Sequence, residues 1–291
     1  MTHRELIRRR RAGALLALAA ILLLVLGALH GRGTGQGEAR ARQTQGATPA
    51  PRLSTVEAGA LVHRAESYAI DRIRAYTPAV VQGGRRGDEV ALTFDDGPGP
   101  YSLRLLAVLE RLHVPATFFE VGSQERWFSA ATLAQLRAGD VVGDHTETHP
   151  MMARLSAHDQ HEELLEQIYR IQALGGPTPR LFRPPYGSFD KTTLHQLHHL
   201  HLLMILWSTD TEDYRRPGVE TIVRRALAGA HPGAIILMHD AGGDRSQTIA
   251  ALPAIIRGLR RRGLHPVTVP RLLLDDPPPP GQPIPKSLAG G

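Results

Sequence analysis

The chain has 291 residues, of which 42% are hydrophobic, and it carries a formal net charge of +6 and no cysteine. The length and hydrophobic content predict one large or two small globular domains, and the lack of cysteine excludes disulfides and thiolate metal sites. Residues 1–42 contain eight arginines and two acidic residues, so the rest of the chain is formally neutral. We therefore expect no electrostatic nucleic-acid interface on the folded part, which we expect to be a monomer.

Residues 1–54 have the pattern of a membrane anchor followed by a linker. Four arginines at positions 8–11 end a basic segment, residues 1–11, and residues 12–29 form an uncharged run rich in Leu and Ala. That run lies near the lower length limit of a transmembrane helix and exceeds the core of a typical signal peptide. The positive-inside rule then predicts a single-pass protein of the cell membrane with a cytoplasmic N-terminus and an extracytoplasmic remainder. Cleavage of the segment, with secretion, is the alternative, and residues 30–54 lack periodicity and predict a disordered linker.

The remainder alternates between apolar runs and amphipathic segments. Residues 55–87 predict an accessory helix, over 56–76, and a glycine-rich lead-in. A first strand ends before Gly97, and six more are predicted at 116–121, 141–142, 181–182, 202–207, 234–238 and 266–269. Helices are predicted between them at 103–113, 130–138, 157–174, 192–199, 219–228 and 248–262. Seven such repeats in residues 88–272 predict a parallel sheet covered by helices and closed as an irregular barrel, and the proline-rich residues 273–291 predict an extended tail.

Polar side chains follow several of the predicted strands. Because the C-terminal ends of parallel barrel strands open on one face, we expect these side chains to converge there. They are Asp95, Asp96, His145, His149, Arg183, Asp210, Asp213, His239 and Asp240.

Two imidazoles four residues apart, His145 and His149, can bind one metal ion together with a carboxylate, as in catalytic zinc sites. A surface helix is the simpler interpretation of an isolated H-x-x-x-H, and a solvated turn is the simpler interpretation of Asp95-Asp96-Gly97. The preceding apolar strands and the following prolines favour a site at the barrel mouth in both cases. A denser histidine cluster, at positions 195, 198, 199 and 201, is predicted to lie on a helix surface.

Five ordered motifs resemble those of the polysaccharide deacetylase family, also called the NodB homology domain or carbohydrate esterase family 4. They are T-F-D-D-G-P at 93–98, H-T-E-T-H-P at 145–150, R-P-P-Y-G at 183–187, W-S-T-D-T-E-D-Y at 207–214 and L-M-H at 237–239. The likeness covers residues 88–272, and five motifs in order are far more specific than one. It implies an α/β fold, an irregular (β/α)7 barrel of the NodB type.

The resemblance also implies a role for individual residues. Asp96, His145 and His149 would bind a divalent metal, commonly Zn2+, with Co2+ and Ni2+ as alternatives. Asp95 would be the general base, with Arg183 keeping it ionised, and His239 would protonate the leaving amine beside Asp213. The backbone N–H of Tyr186 would stabilise the oxyanion. A surface ion pair for Arg183 and a turn acid for Asp213 are the structural alternatives.

Four residues are expected to line the substrate pocket: Leu237, Tyr214, Trp207 and Pro185. Tyr214 departs from the family pattern, in which Trp often occupies this position. A Tyr is smaller and carries a hydroxyl that needs a partner, so the substitution affects the shape of the acetyl pocket more than the chemistry.

The sequence therefore predicts a metal-dependent hydrolase that removes N-acetyl groups from a glycan, with peptidoglycan GlcNAc or MurNAc favoured over a chitin-like polymer because of the predicted anchor. One alternative is an O-deacetylase of xylan or exopolysaccharide. Another is a catalytically silent glycan-binding wall protein, although Asp95, Asp96, His145 and His149 are all present.

Overall fold

The computed structural model describes residues 55–284. The predicted anchor at 12–29, the linker at 30–54 and residues 285–291 of the tail lie outside this range. Within the range, every helix is too short or too polar to span a bilayer.

The described chain forms an α/β half-barrel of parallel strands, which confirms the predicted fold class. The strands are β1 (Ala79–Val80), β2 (Glu89–Gly97), β3 (Thr117–Glu120), β4 (Val141–Asp144), β5 (Leu181–Phe182), β6 (Leu203–Ile205), β7 (Thr209–Asp210), β8 (Ile235–His239) and β9 (His265–Val267). The helices are α1 (Thr55–Arg74), α2 (Ser102–Arg111), α3 (Gly122–Ala138), α4 (Ala157–Ala173), α5 (Lys191–His199), α6 (Val219–Gly229), α7 (Ser246–Arg261) and α8 (Val269–Asp275). Short 3-10 turns occupy Met152–Arg154, Pro185–Gly187 and Asp213–Arg215.

The strand order is β1-β6-β5-β4-β3-β2-β8-β7, and β9 pairs with the start of β2. Only residues 206–208 separate β6, near one end of this order, from β7 at the other end. The sheet therefore has to curve until its two ends approach each other. The junction is bonded on both sides, since the amide of Leu206 donates to Val80 O at 2.8 Å and that of Ser208 donates to Ile235 O at 3.1 Å.

Alternation along β2 separates the core into an outer and an inner part, because successive strand side chains point to opposite faces. Val90, Leu92 and Phe94 pack outward in a cluster with residues of α2, α6 and α7. Ala91 belongs to an inner cluster that also contains residues of α1 and α8. These two helices thus fill the end of the half-barrel at which the strands begin.

Several predicted elements differ in their limits from those observed. The strand predicted at 202–207 is β6 followed by the junction, because the chain bends at residues 206–208 before it continues as β7. The helix predicted at 130–138 begins at Gly122, and a kink at Phe128 (φ −127°, ψ 19°) interrupts the apolar period. The final strand ends at Val267, and the chain then forms α8, which is capped by Thr268 and was not predicted.

After α8, residues 276–284 form no helix or strand, and they pack on the lead-in. Tyr76 donates its hydroxyl to Pro278 O at 2.8 Å, and Gln282 Oε1 accepts from the amide of Val81 at 2.6 Å.

Candidate active site

Both acids at the end of β2 face the same cleft, although neighbouring strand residues normally point to opposite faces. Asp95 still follows the strand alternation and pairs in register with His239 of β8. Asp96 has a left-handed backbone (φ 72°), and the pairing of β2 with β3 shifts by one residue between Asp95 and Gly97. This irregularity, which precedes Pro98, redirects the Asp96 side chain toward the cleft.

Asp96, His145 and His149 form a candidate metal site, in which one ligand atom from each residue lies within 4.8 Å of the others. Asp96 Oδ1 is 3.1 Å from His149 Nε2 and 3.7 Å from His145 Nε2. His145 Nδ1 is 2.6 Å from the carbonyl oxygen of Arg183, which can only accept, so Nδ1 carries the proton and Nε2 is left as a ligand. Two imidazole nitrogens and one carboxylate are a donor set that fits a divalent metal of the zinc type.

The H-x-x-x-H segment is a loop rather than a helix. Thr146 and His149 both have left-handed backbones, with φ of 69° and 64°. The amide of Thr146 donates to Asp144 Oδ1 at 2.8 Å, and the amide of His149 donates to Thr146 Oγ1 at 2.9 Å. These bonds fix the loop at the mouth, as the sequence predicted.

The electrostatics of Asp96 favour its ionised form. Burial alone would raise the pKa of its carboxyl group, but the neighbouring imidazoles of His145 and His149, with a smaller contribution from His239, outweigh burial and hold the pKa well below its usual value. The group therefore offers a negatively charged oxygen at neutral pH.

Arg183 is fully buried beneath Asp95, so it is not a surface residue. Its Nη1 donates to Asp95 Oδ1 at 2.7 Å and to Thr93 Oγ1 at 2.8 Å, and its guanidinium carbon lies 4.2 Å from the centre of the Phe119 ring. Nε and Nη2 donate to the carbonyls of Ile205 and Leu206. Removing one partner of such a buried pair typically destabilises a protein by about 3–5 kcal/mol, since the other charge is left uncompensated.

His239 is held by Asp213 on the other wall of the cleft. Its Nδ1 lies 2.7 Å from Asp213 Oδ1, and its backbone amide donates to Oδ2 at 2.9 Å. Burial alone would lower the pKa of His239, but the Asp213 carboxylate raises it to about 9, with smaller contributions from Asp96 and Asp95. At neutral pH the imidazole is therefore protonated, and its Nε2 carries a transferable proton.

These groups meet in a cleft of about 510 Å3. Leu237, Tyr214 and Trp207 line it as predicted, and Tyr214 makes an edge-to-face contact with His239 at a ring distance of 5.3 Å. Pro185 is not among the lining residues, whereas the preceding Pro184 is. Tyr186 lines the cleft with a left-handed backbone (φ 58°), and its hydroxyl lies 3.2 Å from His149 Nδ1.

Two residues, Arg245 in the cleft and Asp240 buried next to His239 in the chain, had no role assigned from the sequence. Arg245 is buried, lines the cleft and places Nη2 3.9 Å from Asp96 Oδ2. Asp240 is fully buried and accepts a hydrogen bond from Ser102, and burial raises its pKa to about 7. Asp240 directly follows His239 at the end of an apolar strand, and this position indicated that it lies near the site. Arg245 lies in a loop, where no sequence motif indicated a contact with the site.

The second histidine cluster lies outside this cleft. His195, His198, His199 and His201 are exposed on and after α5, as predicted, and none of them is among the lining residues.

One cleft of a parallel α/β half-barrel thus brings together Asp95, His239 and the candidate metal site. The sequence profile described as "Polysaccharide deacetylase" matches residues 82–205. A chitooligosaccharide deacetylase from Bradyrhizobium sp. strain ANU 289 is 38% identical over 193 residues, which cover 61% of this chain and 88% of the relative.

Two solved structures are also similar to this chain. A peptidoglycan N-acetylglucosamine deacetylase matches with a TM-score of 0.66 and 30% identity, over 70% of this chain and 96% of that one. A pseudoenzyme of carbohydrate esterase family 4 from Bacillus anthracis matches with a TM-score of 0.64 and 31% identity, over 68% of this chain and 69% of that one. The chain belongs to the polysaccharide deacetylase family, which confirms the resemblance of its five motifs.

Proposed function

We propose that the protein is a metal-dependent N-deacetylase of an N-acetylated polysaccharide, with peptidoglycan GlcNAc or MurNAc as the favoured substrate and a chitin-like glycan as the other candidate. One observation carries the proposal: the carboxylate group of Asp95, bonded to Arg183, and a protonated imidazole at His239 face one cleft beside the donor set of Asp96, His145 and His149. Hydrolysis of an amide needs both a base for the water and an acid for the amine.

The proposed metal ion would be held by Asp96, His145 and His149, and when bound it would polarise the acetamide carbonyl and acidify a water. Asp95 accepts the proton of the attacking water, and Arg183 orients that carboxylate through the 2.7 Å contact. The backbone N–H of Tyr186 donates to the developing oxyanion.

His239 then donates a proton to the departing amine, while Asp213 fixes the ring and stabilises its charged form. The raised pKa of His239, about 9, supports an amide substrate over an ester, because an amine is a poor leaving group unless it is protonated. Leu237, Trp207 and Tyr214 form the apolar wall against which the acetyl methyl packs.

An exposed aromatic side chain next to the cleft supports a glycan substrate. Trp127 is exposed, and it follows the lining residue Ser123 by four positions on α3, which places the two on neighbouring turns of one helix face. Sugar rings stack on such aromatic faces, so Trp127 would extend the binding surface beyond the cleft.

The sequence supports a membrane location for the enzyme. The arginines at 8–11 and the apolar run at 12–29 would place the catalytic domain outside the cytoplasm on a tether, next to the cell wall.

Acetate release from peptidoglycan, chitooligosaccharide and acetylated xylan tests the proposal, measured after chelation and after addition of Zn2+, Co2+ or Ni2+. We expect release from an N-acetylated glycan that chelation abolishes and a metal restores. Activity on acetylated xylan alone would instead identify an O-deacetylase. Binding of glycans without release of acetate under any metal would identify a silent wall protein.

A further inference from the structure

A second depression adjoins the cleft on the side of the H-x-x-x-H loop. It has a volume of about 410 Å3 and is lined by His149, Pro150, Met151, Arg154, Leu155 and Tyr186. His149 and Tyr186 also line the main cleft, so the two hollows share a wall and form one continuous surface. A sugar next to the one whose acetamide reacts can therefore reach this depression, which we call the Arg154 subsite.

The subsite combines one cation with an apolar wall. Pro150, Met151 and Leu155 supply the apolar side, and the 3-10 turn Met152–Arg154 presents an exposed Arg154. Within residues 55–284, no carboxylate forms an ion pair with Arg154.

Two other exposed or half-buried arginines of the domain stabilise the structure through ion pairs with carboxylates. Arg170 binds Glu147 through Nε and Nη2, both at 2.6 Å, and Arg180 pairs with Asp71. Arg154 has no such contact among the described side chains, and its planar fork is suited to bind a carboxylate through two hydrogen bonds.

The ligand that fits this surface is an anionic group with a small apolar part. The lactyl ether of N-acetylmuramic acid has both features wherever no stem peptide is attached to it, since its free carboxylate complements Arg154 and its methyl group complements Met151 and Leu155. A chitooligosaccharide is neutral and offers the subsite no charge.

We propose that the Arg154 subsite binds the carboxylate-bearing sugar beside the one that is deacetylated, and that it makes the enzyme prefer peptidoglycan strands whose MurNAc carries a free lactyl carboxylate to neutral chitooligosaccharides. The inference rests on the proposed function, which it narrows to one substrate class. The ion pair is near solvent, so it should act mainly on substrate binding and weaken with salt.

The test compares two substrates of equal length: a GlcNAc–MurNAc oligosaccharide, and the same molecule with its lactyl carboxylates converted to methyl esters. We expect Arg154→Ala to lower kcat/KM on the anionic substrate about fivefold through KM, and to leave the ester within about twofold. Arg154→Lys should lower kcat/KM less than Arg154→Ala does, because the ammonium group of Lys keeps the positive charge but lacks the planar guanidinium.

Arg261→Ala is the matched control, because Arg261 is exposed at the end of α7, on the face away from the strand ends. This variant should leave kcat/KM unchanged on both substrates. Equal losses on both substrates with Arg154→Ala, or no loss on either, would overturn the inference.

Direct binding separates this inference from the proposed function. The Asp95→Asn variant should turn over its substrate slowly enough for its affinity for the two oligosaccharides to be measured by calorimetry at low and high salt. Tighter binding of the anionic one, lost when Arg154→Ala is added, supports the subsite even if no acetate is released. Equal binding of both oligosaccharides refutes the subsite even if the enzyme is active.

Discussion

Asp213 binds His239 through both of its carboxylate oxygens, one to the ring Nδ1 at 2.7 Å and the other to the backbone amide at 2.9 Å. The same Oδ2 also accepts from Thr248 Oγ1 at 2.7 Å. The acid is therefore fixed by α7 and in turn fixes the imidazole at the end of β8. This relationship determines both the orientation and the protonation of His239.

Asp213→Asn should lower the pKa of His239 from about 9 toward its usual value, because the largest attraction to its charged form is lost. The imidazole would then lose its proton at lower pH, so the alkaline limb of the kcat/KM profile should move toward acid. We expect activity at pH 8 to fall about 100-fold, within the usual range for acid catalysis.

Thr248→Val is the control for this change. It removes one hydrogen bond to Asp213 but leaves the carboxylate beside His239, so the limb should move less than in Asp213→Asn. A profile unchanged in Asp213→Asn would contradict the role of His239 as the acid.

The two adjacent acids should respond differently to the same substitution. Asp96→Asn removes a charged ligand and should lower metal occupancy, whereas Asp95→Asn should retain the metal and lose about 10²–10⁴-fold in kcat. Metal content by mass spectrometry and steady-state kinetics distinguish the two effects. Equal occupancy and undiminished turnover in both variants would show that the assignment is wrong.

Glu120→Gln should stabilise the protein increasingly as pH rises. Glu120 is fully buried on β3, its Oε2 accepts from Thr132 at 2.7 Å, and burial raises its pKa well above the usual value. A raised carboxyl pKa means that the folded state keeps a proton that the unfolded state releases, so stability falls as pH rises above the unfolded pKa. Each unit of that rise corresponds to about 1.4 kcal/mol, and the Gln variant avoids this loss.

Urea unfolding at about pH 5 and about pH 8 measures the effect on the free energy of unfolding. The difference between variant and parent should be larger at the higher pH. A difference that is the same at both values would show that the parent carboxyl group does not keep a proton on folding.

The full chain should fractionate with membranes, and residues after position 29 should be open to protease added from outside the cell. A truncated chain that begins at Ser54 should be soluble and active, because the proposed residues of the site all lie between 95 and 239. A mature protein that begins near His30 and is found wholly in the medium would identify the segment as a cleaved signal.

The sequence identified the parts of the site that follow apolar strands, because strand ends converge on one face whatever the details of the loops. It could not show that Asp96 turns into the cleft through a left-handed backbone, since that depends on the shift in pairing between β2 and β3. The motif R-P-P-Y-G placed Pro185 in the pocket, but Pro184 is the proline that lines it, because the path of the backbone at the 3-10 turn decides which of the two faces the cleft.

Short or bent elements were the other source of error. The strand β7 contains two residues, too few for any periodicity, and α8 follows β9 after the single residue Thr268. Arg245 reaches the site through a tertiary contact with Asp96. The residues next to Arg245 in the sequence do not indicate this contact.

The bend between β6 and β7 interrupts the regular ladder beside the most deeply buried charge of the site. In an unbroken parallel strand, the carbonyls of Ile205 and Leu206 would accept from a neighbouring strand; here they accept from Arg183 at 3.1 and 3.2 Å. The defect in the sheet thus supplies the two oxygens that solvate the guanidinium in place of water. A substitution that made residues 205–209 more regular would leave this cation dehydrated, and the contact that orients Asp95 would change without any alteration to the acids themselves.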